Sequence, residues 1–324
     1  MSEAQPQRSP TREGVLEAAA KMAAILPPTP LIPLEIGSAK VWVKAECLQP
    51  IGAFKIRGAW HRLTALDETE RARGVVAVSS GNHAQGIAWA ARRLGIAATI
   101  VMPQDAPPIK LARTQELGAS VVTYDRMTEN REEIAQNLAA EKGATYAHAF
   151  ADPWVIEGQG SAGIEILEQL AAQGAPAPIR ILACCGGGGL SAGLALACPD
   201  TLVVPVEPEG WDDVCRSLKT GEIQSVGSSP PPTACDALQT FQTSPINFGV
   251  LKDRCEYGLR VSEEEVRNAQ RFAFANLRLV LEPGGAVALA AALTGKAELY
   301  GTTAIILSGG NVDPQQFART IAEG

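Results

Sequence analysis

The sequence predicts an α/β protein of two open parallel-sheet domains with a ligand cleft between them. Three observations carry this. Short β-branched runs alternate with longer helical patterns through the middle of the chain, the alternation resumes further on, and glycine-rich or small polar runs follow the strands. Strands separated by helices of ten or more residues need crossover connections, which close right-handed into a parallel sheet covered on both faces. Ligands of such sheets sit beyond the carboxyl ends of the strands, so two sheets imply a cleft.

In chain order, residues 12–25 read as a helix stopped by Pro27, Pro28 and Pro30, and 41–44 as a strand. Residues 75–78, 97–102 and 120–123 are strand-like, interleaved with helical patterns at 84–93, 108–117 and 128–142. The second series has strands at 181–184, 202–206 and 302–307 and helices at 157–172, 190–197, 263–275 and 284–293. Residues 227–233, with three consecutive prolines, form a surface crossing, and there is no internal repeat or low-complexity tract.

The bulk numbers exclude several classes. A chain of 324 residues, 46% hydrophobic and 19% charged, has room for two ordinary soluble domains. Net charge is −7 without any Lys/Arg block, which leaves nucleic acid and anionic membranes no electrostatic footprint. The apolar run 284–293 is far short of the roughly 20 residues that span a bilayer, and residues 1–11 lack a signal-peptide core. A cytoplasmic protein is expected. Seven cysteines without a C-x-x-C pair read as buried free thiols, not as a disulfide framework or zinc site.

Four places could face one cleft. Lys55, in Gly52-Ala53-Phe54-Lys55-Ile56-Arg57-Gly58, opens a helix after an extended segment. Such a lysine is ordinarily a solvated helix start, but a helix N-terminus disfavours the ammonium and so favours a nucleophilic amine. Ser79-Ser80-Gly81-Asn82-His83 joins a strand to a helix. Its hydroxyls, glycine and free amides make an anion cradle, where simple capping would need only one of them. Gly186, Gly187, Gly188 and Gly189 let backbone approach a phosphate at the start of a helix. With Ser191, and with Glu207 about 20 residues on, they also fit a loosened dinucleotide fingerprint, so a nicotinamide-dependent dehydrogenase stays open at this point. Ser308, in Ser308-Gly309-Gly310-Asn311, offers a hydroxyl at a strand's carboxyl end, while Asp313 reads as part of a turn.

Taken together and in order, these motifs resemble the fold type II pyridoxal-phosphate enzymes, the tryptophan synthase β-like fold, in the threonine/serine dehydratase and serine racemase branch. Val101-Met102-Pro103 with Lys110, Gly158-Gln159-Gly160, Val206-Glu207-Pro208 and Glu282-Pro283 fall between them in the family's order, and the likeness covers nearly the whole chain. It implies a large domain of residues 1–66 and 149–324, a small domain of 67–148, and a homodimer. It also implies β-elimination: Lys55 carries a Schiff base with pyridoxal phosphate, its freed amine takes the α-proton, the β-hydroxyl leaves, and a 2-oxo acid and ammonia result.

The same resemblance places Phe54, Asn82, Glu282 and Leu190 around the cofactor, Asn82 on its phenolic oxygen, Gly186 to Gly189 on its phosphate and Ser308 on its ring nitrogen. Ser79, Ser80, Gly81, Asn82 and His83 receive the substrate carboxylate, and Arg131 faces the substrate or is a solvated helix arginine. Ser80, on the face opposite the lysine, permits racemisation without requiring it. Glu207, the Trp211 carbonyl and Asp213 match a divalent-cation site suited to Mg²⁺ or Ca²⁺, which the residues alone do not suggest.

The chain departs from the family's pattern at Ile51, Ala53, His148-Ala149-Phe150 and Glu157, which implies a wider or differently polar pocket and a substrate other than plain threonine, such as hydroxyaspartate or an aryl-serine. No room is left after Ser308 for a regulatory domain, so a catabolic role is expected.

Overall fold

A computed structural model describes residues 8–79, 81–106 and 108–323. Helix α1 (Arg12–Ala23) leads into a two-stranded hairpin, β1 (Leu31–Ile36) and β2 (Ala39–Lys44), then α2 (Lys55–Thr64) and a short α3 (Glu68–Arg73). Next come β3 (Val75–Val78), α4 (Asn82–Leu94), β4 (Ala98–Pro103), α5 (Pro108–Glu116), β5 (Ser120–Tyr124), α6 (Arg131–Lys142) and β6 (Thr145–Tyr146). Helix α7 (Pro153–Ala172) opens the second series: β7 (Arg180–Cys184), α8 (Gly189–Ala197), β8 (Leu202–Pro208), α9 (Asp213–Thr220) and α10 (Pro245–Arg254). It closes with β9 (Leu259–Val261), α11 (Glu263–Phe272), α12 (Pro283–Leu293), β10 (Thr303–Ile306) and α13 (Pro314–Ala322).

Two sheets result. The first is parallel throughout, ordered β5-β4-β3-β6. The second is ordered β1-β2-β10-β7-β8-β9, parallel except for the β1–β2 hairpin. That antiparallel edge departs from the expected all-parallel sheet. Pro33 obscures β1 in the sequence, and an edge strand tolerates it because one side needs no amide donor.

Strands β3, β4, β7 and β10 are buried at every position, as sheets covered on both faces require. Helix α6 begins at Arg131, not 128, because the Asn130 side-chain oxygen accepts from the Glu132 and Glu133 amides at 3.1 and 3.4 Å. Helix α11 ends at Phe272 and runs into a π turn at Ala273–Leu277, closed by Arg278 at φ 61°. Residues 227–233 cross the surface as expected. Cysteines 47, 184, 185, 198, 215, 235 and 255 are free, and all but the half-buried Cys215 are buried. Among the described residues, no helix is long and apolar enough to cross a membrane.

Two features fix the start of α2. A Cβ on Gly158 of α7 would lie 2.5 Å from Gly58 Cα and 2.7 Å from the Arg57 carbonyl, so only glycine lets these helices cross so closely. Beside the crossing, Arg57 is fully buried between two carboxylates. Its guanidinium donates to both oxygens of Glu46 at 2.7 and 2.8 Å, to both of Glu165 at 2.7 Å, and to Ser161 at 3.1 Å. Lys44 completes a charge-balanced group by donating to Glu165 at 2.5 Å. Lys55 therefore projects from a rigid first turn.

Candidate active site

One cavity collects the carboxyl ends of β3, β7 and β10 and the N-termini of α2, α4, α6 and α8. That is where parallel sheets place ligands, because the loops there are free to vary and the helix N-termini carry unpaired amides. Lys55 stands at its floor beside Phe54, half-buried, with its Nζ donating to the Ala149 carbonyl at 2.8 Å. Burial pushes the amine down to about 8, although the nearby Cys184 thiol acts in the opposite direction. The site thus holds a lysine that is partly neutral near physiological pH.

The glycine run shares this cavity. Gly186, Gly187, Gly188, Gly189 and Leu190 all line the cavity at the start of α8. Gly188 has φ 88°, a left-handed conformation that side chains resist, and a Cβ there would come within 2.8 Å of Leu251. A Cβ on Gly187 would collide with the Phe150 ring. The loop is fixed from behind, where Thr243 Oγ1 and Asn247 Nδ2 donate to the Gly187 carbonyl at 3.0 and 2.5 Å. The result is a cradle with a helix N-terminus at its base, suited to a dianionic phosphate.

Three further polar groups line the cavity. Asn82 Nδ2 donates to Glu282 Oε1 at 2.6 Å, while Glu282 Oε2 is buried without a partner among the described residues. Burial, and then the charge of Asp236, push the Glu282 carboxyl up to about 7. Ser308 lies at the end of β10, and its hydroxyl oxygen accepts from the Cys184 thiol at 3.1 Å. Burial pushes that thiol up to about 11, so it is a donor and not a nucleophile.

The loop after β3 and the helices around the first sheet complete the cavity lining. Ser79, Gly81, Asn82 and His83 line it; Ser79 Oγ accepts from the Gly81 amide at 3.1 Å. His83 Nε2 meets the Ala147 carbonyl at 3.0 Å, and burial with the Lys55 charge lowers it to about 3, so the ring is neutral. Arg131, at the first turn of α6, reaches the cavity with its side chain 47% exposed; its ion pair with Glu132 is a loose 3.7 Å. Lys110 pairs with Asp236 across the mouth. Ser80, expected in this loop, lies outside the described residues.

Three expected features fall elsewhere. Ile51 and Ala53 are buried and do not line the cavity, so the missing hydroxyls there leave the pocket unchanged. Glu157 is not in the cleft either: it accepts from Arg8 Nη1 at 2.9 Å and the Thr11 amide at 2.8 Å and lies 3.4 Å from His61, tying the N-terminal segment to α7. Of that group only His148, Ala149 and Phe150 shape the pocket. Glu207 is fully buried and accepts from the Val214 and Cys215 amides at 3.1 and 2.7 Å, capping α9 away from the cavity. It cannot hold a ribose, and the dinucleotide alternative loses its acid.

Asp213 lies near Glu207, with Oδ2 accepting from the Thr243 amide at 2.7 Å and Oδ1 buried without a partner among the described residues. Trp211 is buried beside them, its ring nitrogen donating to the Pro231 carbonyl at 2.8 Å. Among the described residues, no group of three or more His, Cys, Asp or Glu side chains is arranged to hold a metal ion.

Sequence reasoning did not single out Cys184, Tyr146, Asp236 or Thr240 as lining residues. Cys184 alone had a usable signal, because it ends a strand two residues before the glycine run.

The comparisons agree with this geometry. The family model described as pyridoxal-phosphate dependent enzyme matches residues 24–309. An L-threo-3-hydroxyaspartate ammonia-lyase from Pseudomonas sp is 41% identical over 94% of this chain and 96% of that protein. A serine racemase from Schizosaccharomyces pombe is 36% identical over 97% of this chain and 98% of its own. Among solved structures, the threonine deaminase of T.th. superposes with a TM-score of 0.86 at 43% identity, covering 94% of this chain and 99% of that one. With a cavity that joins a lysine to a glycine cradle, and a match over most of its length, this chain belongs to the family of pyridoxal-phosphate dependent enzymes.

Proposed function

We propose that this protein is an ammonia-lyase that removes water and then ammonia from a small β-hydroxy amino acid, and that its preferred substrate carries a second carboxylate, as L-threo-3-hydroxyaspartate does. The observation that carries the substrate class is Arg131, a cavity-lining guanidinium whose nearest ion pair is 3.7 Å away. The identity to the Pseudomonas sp protein supports the same reading.

The residues present fit pyridoxal phosphate: the glycine run lines the cavity at the N-terminus of α8, Lys55 supplies an amine, and Ser308 and Asn82 add polar groups to the same lining. When bound, the cofactor supplies an electron sink for the α-carbon. The remaining work falls to side chains. Ser79 and the amides of the loop through His83 hold the α-carboxylate, Arg131 takes the β-carboxylate, and the Lys55 amine removes the α-proton. Loss of the β-hydroxyl leaves an unsaturated amine, which water converts to a 2-oxo acid and ammonia.

Arg131→Met tests the substrate assignment. KM for L-threo-3-hydroxyaspartate rises roughly ten- to a hundredfold, the worth of a charge-assisted hydrogen bond, while L-serine and L-threonine are turned over as by the parent. An equal loss on all three, or threonine as the best parent substrate in 2-oxo acid release, rejects it.

We also propose that Glu207, the Trp211 carbonyl and Asp213 hold Mg²⁺ or Ca²⁺. Support comes from the orphaned Asp213 oxygen beside a second buried carboxylate. EDTA then lowers Tm, and added Mg²⁺ or Ca²⁺ restores it; an unchanged Tm with no metal found by elemental analysis removes the site. Residues 67–148 are taken as the small domain, whose α6 presents Arg131, and the protein as a homodimer.

A further inference from the structure

We propose that Asn311 is a positioning residue that determines which end of the Asn82 amide faces the cofactor. Its own orientation is set by two groups that each play one role only. Asn311 Nδ2 donates to the Ile51 carbonyl at 2.7 Å, which can only accept. Asn311 Oδ1 accepts from Arg113 Nη1 at 3.0 Å, and a guanidinium can only donate. Turning the Asn311 amide over would set donor against donor and acceptor against acceptor.

The second Nδ2 hydrogen of Asn311 serves Asn82 Oδ1 at 2.8 Å. That contact assigns oxygen to one end of the Asn82 side chain and leaves nitrogen at the other, where it donates to Glu282 Oε1 at 2.6 Å. An amide nitrogen has two hydrogens, so one remains for an acceptor in the cavity that Asn82 lines. Glu282 could not impose this alone. Its carboxyl titrates near neutrality, and in the protonated form it can donate to an amide oxygen as readily as the carboxylate accepts from an amide nitrogen. Asn311 removes that ambiguity, and it spans the cleft in doing so. Asn82 and Arg113 belong to α4 and α5 around the first sheet, whereas Ile51 precedes α2 and Asn311 follows β10.

The inference rests on the functional reading for the identity of the cofactor, but not for the clasp itself. Asn311→Asp is the informative variant. It keeps, and strengthens, the contact with Arg113, yet it can donate neither to Ile51 nor to Asn82, so Asn82 is free to turn its nitrogen toward residue 311. Expected are a Tm close to the parent's, a dissociation constant for pyridoxal phosphate roughly tenfold or more higher, and a shifted absorbance maximum of the bound cofactor. In kinetics kcat falls while KM changes little.

A ligand-free readout separates this idea from the functional one. In ¹⁵N-labelled apoprotein the exchange rate of the Asn82 side-chain amide differs between the parent and Asn311→Asp, because its acceptor changes from Glu282 to the new carboxylate. Equal exchange, or an unaltered cofactor affinity and spectrum in the variant, overturns the role of Asn311. A parent that takes up no pyridoxal phosphate overturns the functional reading, and the exchange experiment then still decides the clasp.

Discussion

Lys55→Ala abolishes turnover. The substitution removes the amine that binds the cofactor and the base that takes the α-proton, two roles in one side chain. General acid–base catalysis alone is worth about 10²- to 10⁴-fold, so a fall of at least about 10³-fold in kcat/KM is expected. The fold should persist, because among the described residues the Nζ makes a single hydrogen bond, to the Ala149 carbonyl, and burial already disfavours its charge. In the parent, borohydride followed by peptide mapping finds the cofactor on the peptide containing Lys55. An unlabelled Lys55, or a variant retaining more than a trace of activity with its Tm intact, would refute the assignment.

The same lysine gives a pH dependence whose sign is fixed. Only the neutral amine attacks an aldehyde, and burial lowers this amine to about 8. Uptake of pyridoxal phosphate by apoprotein therefore accelerates as pH rises and levels off above about 8. A plateau reached only near pH 10, as for an ordinary lysine, would show that the cavity does not desolvate the group.

Arg57→Met is the most destabilising single change expected outside the site. It strands Glu46, whose side chain is 0% exposed, and removes one of two cations facing Glu165. Breaking a buried pair from one side costs about 3–5 kcal/mol, because the remaining charge keeps its desolvation penalty and loses its compensation. Denaturant unfolding measures this directly; a loss below about 1 kcal/mol would place the group among solvated surface pairs.

Acid modulates that loss in a defined direction. Burial raises the Glu46 carboxyl, but Arg57, Lys44 and the Thr29 hydroxyl outweigh it and hold the group down to about 2. A depressed carboxylate stabilises the folded state above its unfolded pKa, and the benefit disappears only as pH falls through about 2. Without Arg57 burial dominates and the folded pKa rises above the unfolded value, so the penalty is full at neutral pH and relieved as Glu46 protonates. The gap between parent and Arg57→Met consequently narrows as pH falls from about 7 toward about 4.

Much of the architecture was legible from local chemistry. The strand at Val75–Val78 and the start of α5 at Pro108 fall where periodicity puts them, because fully buried parallel strands are continuous apolar runs and proline marks a first helical turn. The edge strand β1 and the two-residue β6 were not legible. One contains proline, and the other is too short to show a period.

Among site residues the same division holds. The helix start at Lys55 and the glycine run before α8 were legible because helix ends and backbone freedom are properties of a few consecutive residues, but only the ordered set of motifs marked this lysine out from a solvated helix start. The location of Glu157 was not legible. It reads as a cleft residue by its place in the chain, yet α1 folds over it and Arg8 and Thr11 bind it from 149 and 146 residues away.

By itself, then, the sequence determined the alternation of strands and helices, the glycine run and a lysine at a helix start, all of which follow from steric and hydrogen-bonding rules acting over a turn or two of backbone. Only the tertiary structure decided that Cys184 donates to Ser308 across 124 residues, that Asn311 reaches Asn82 across 229, and that Glu207 caps a helix instead of facing the cleft. Those contacts depend on how two sheets and their helices pack, and a side chain's partner in a close-packed interior is set by the elements that surround it and not by its neighbours in the chain.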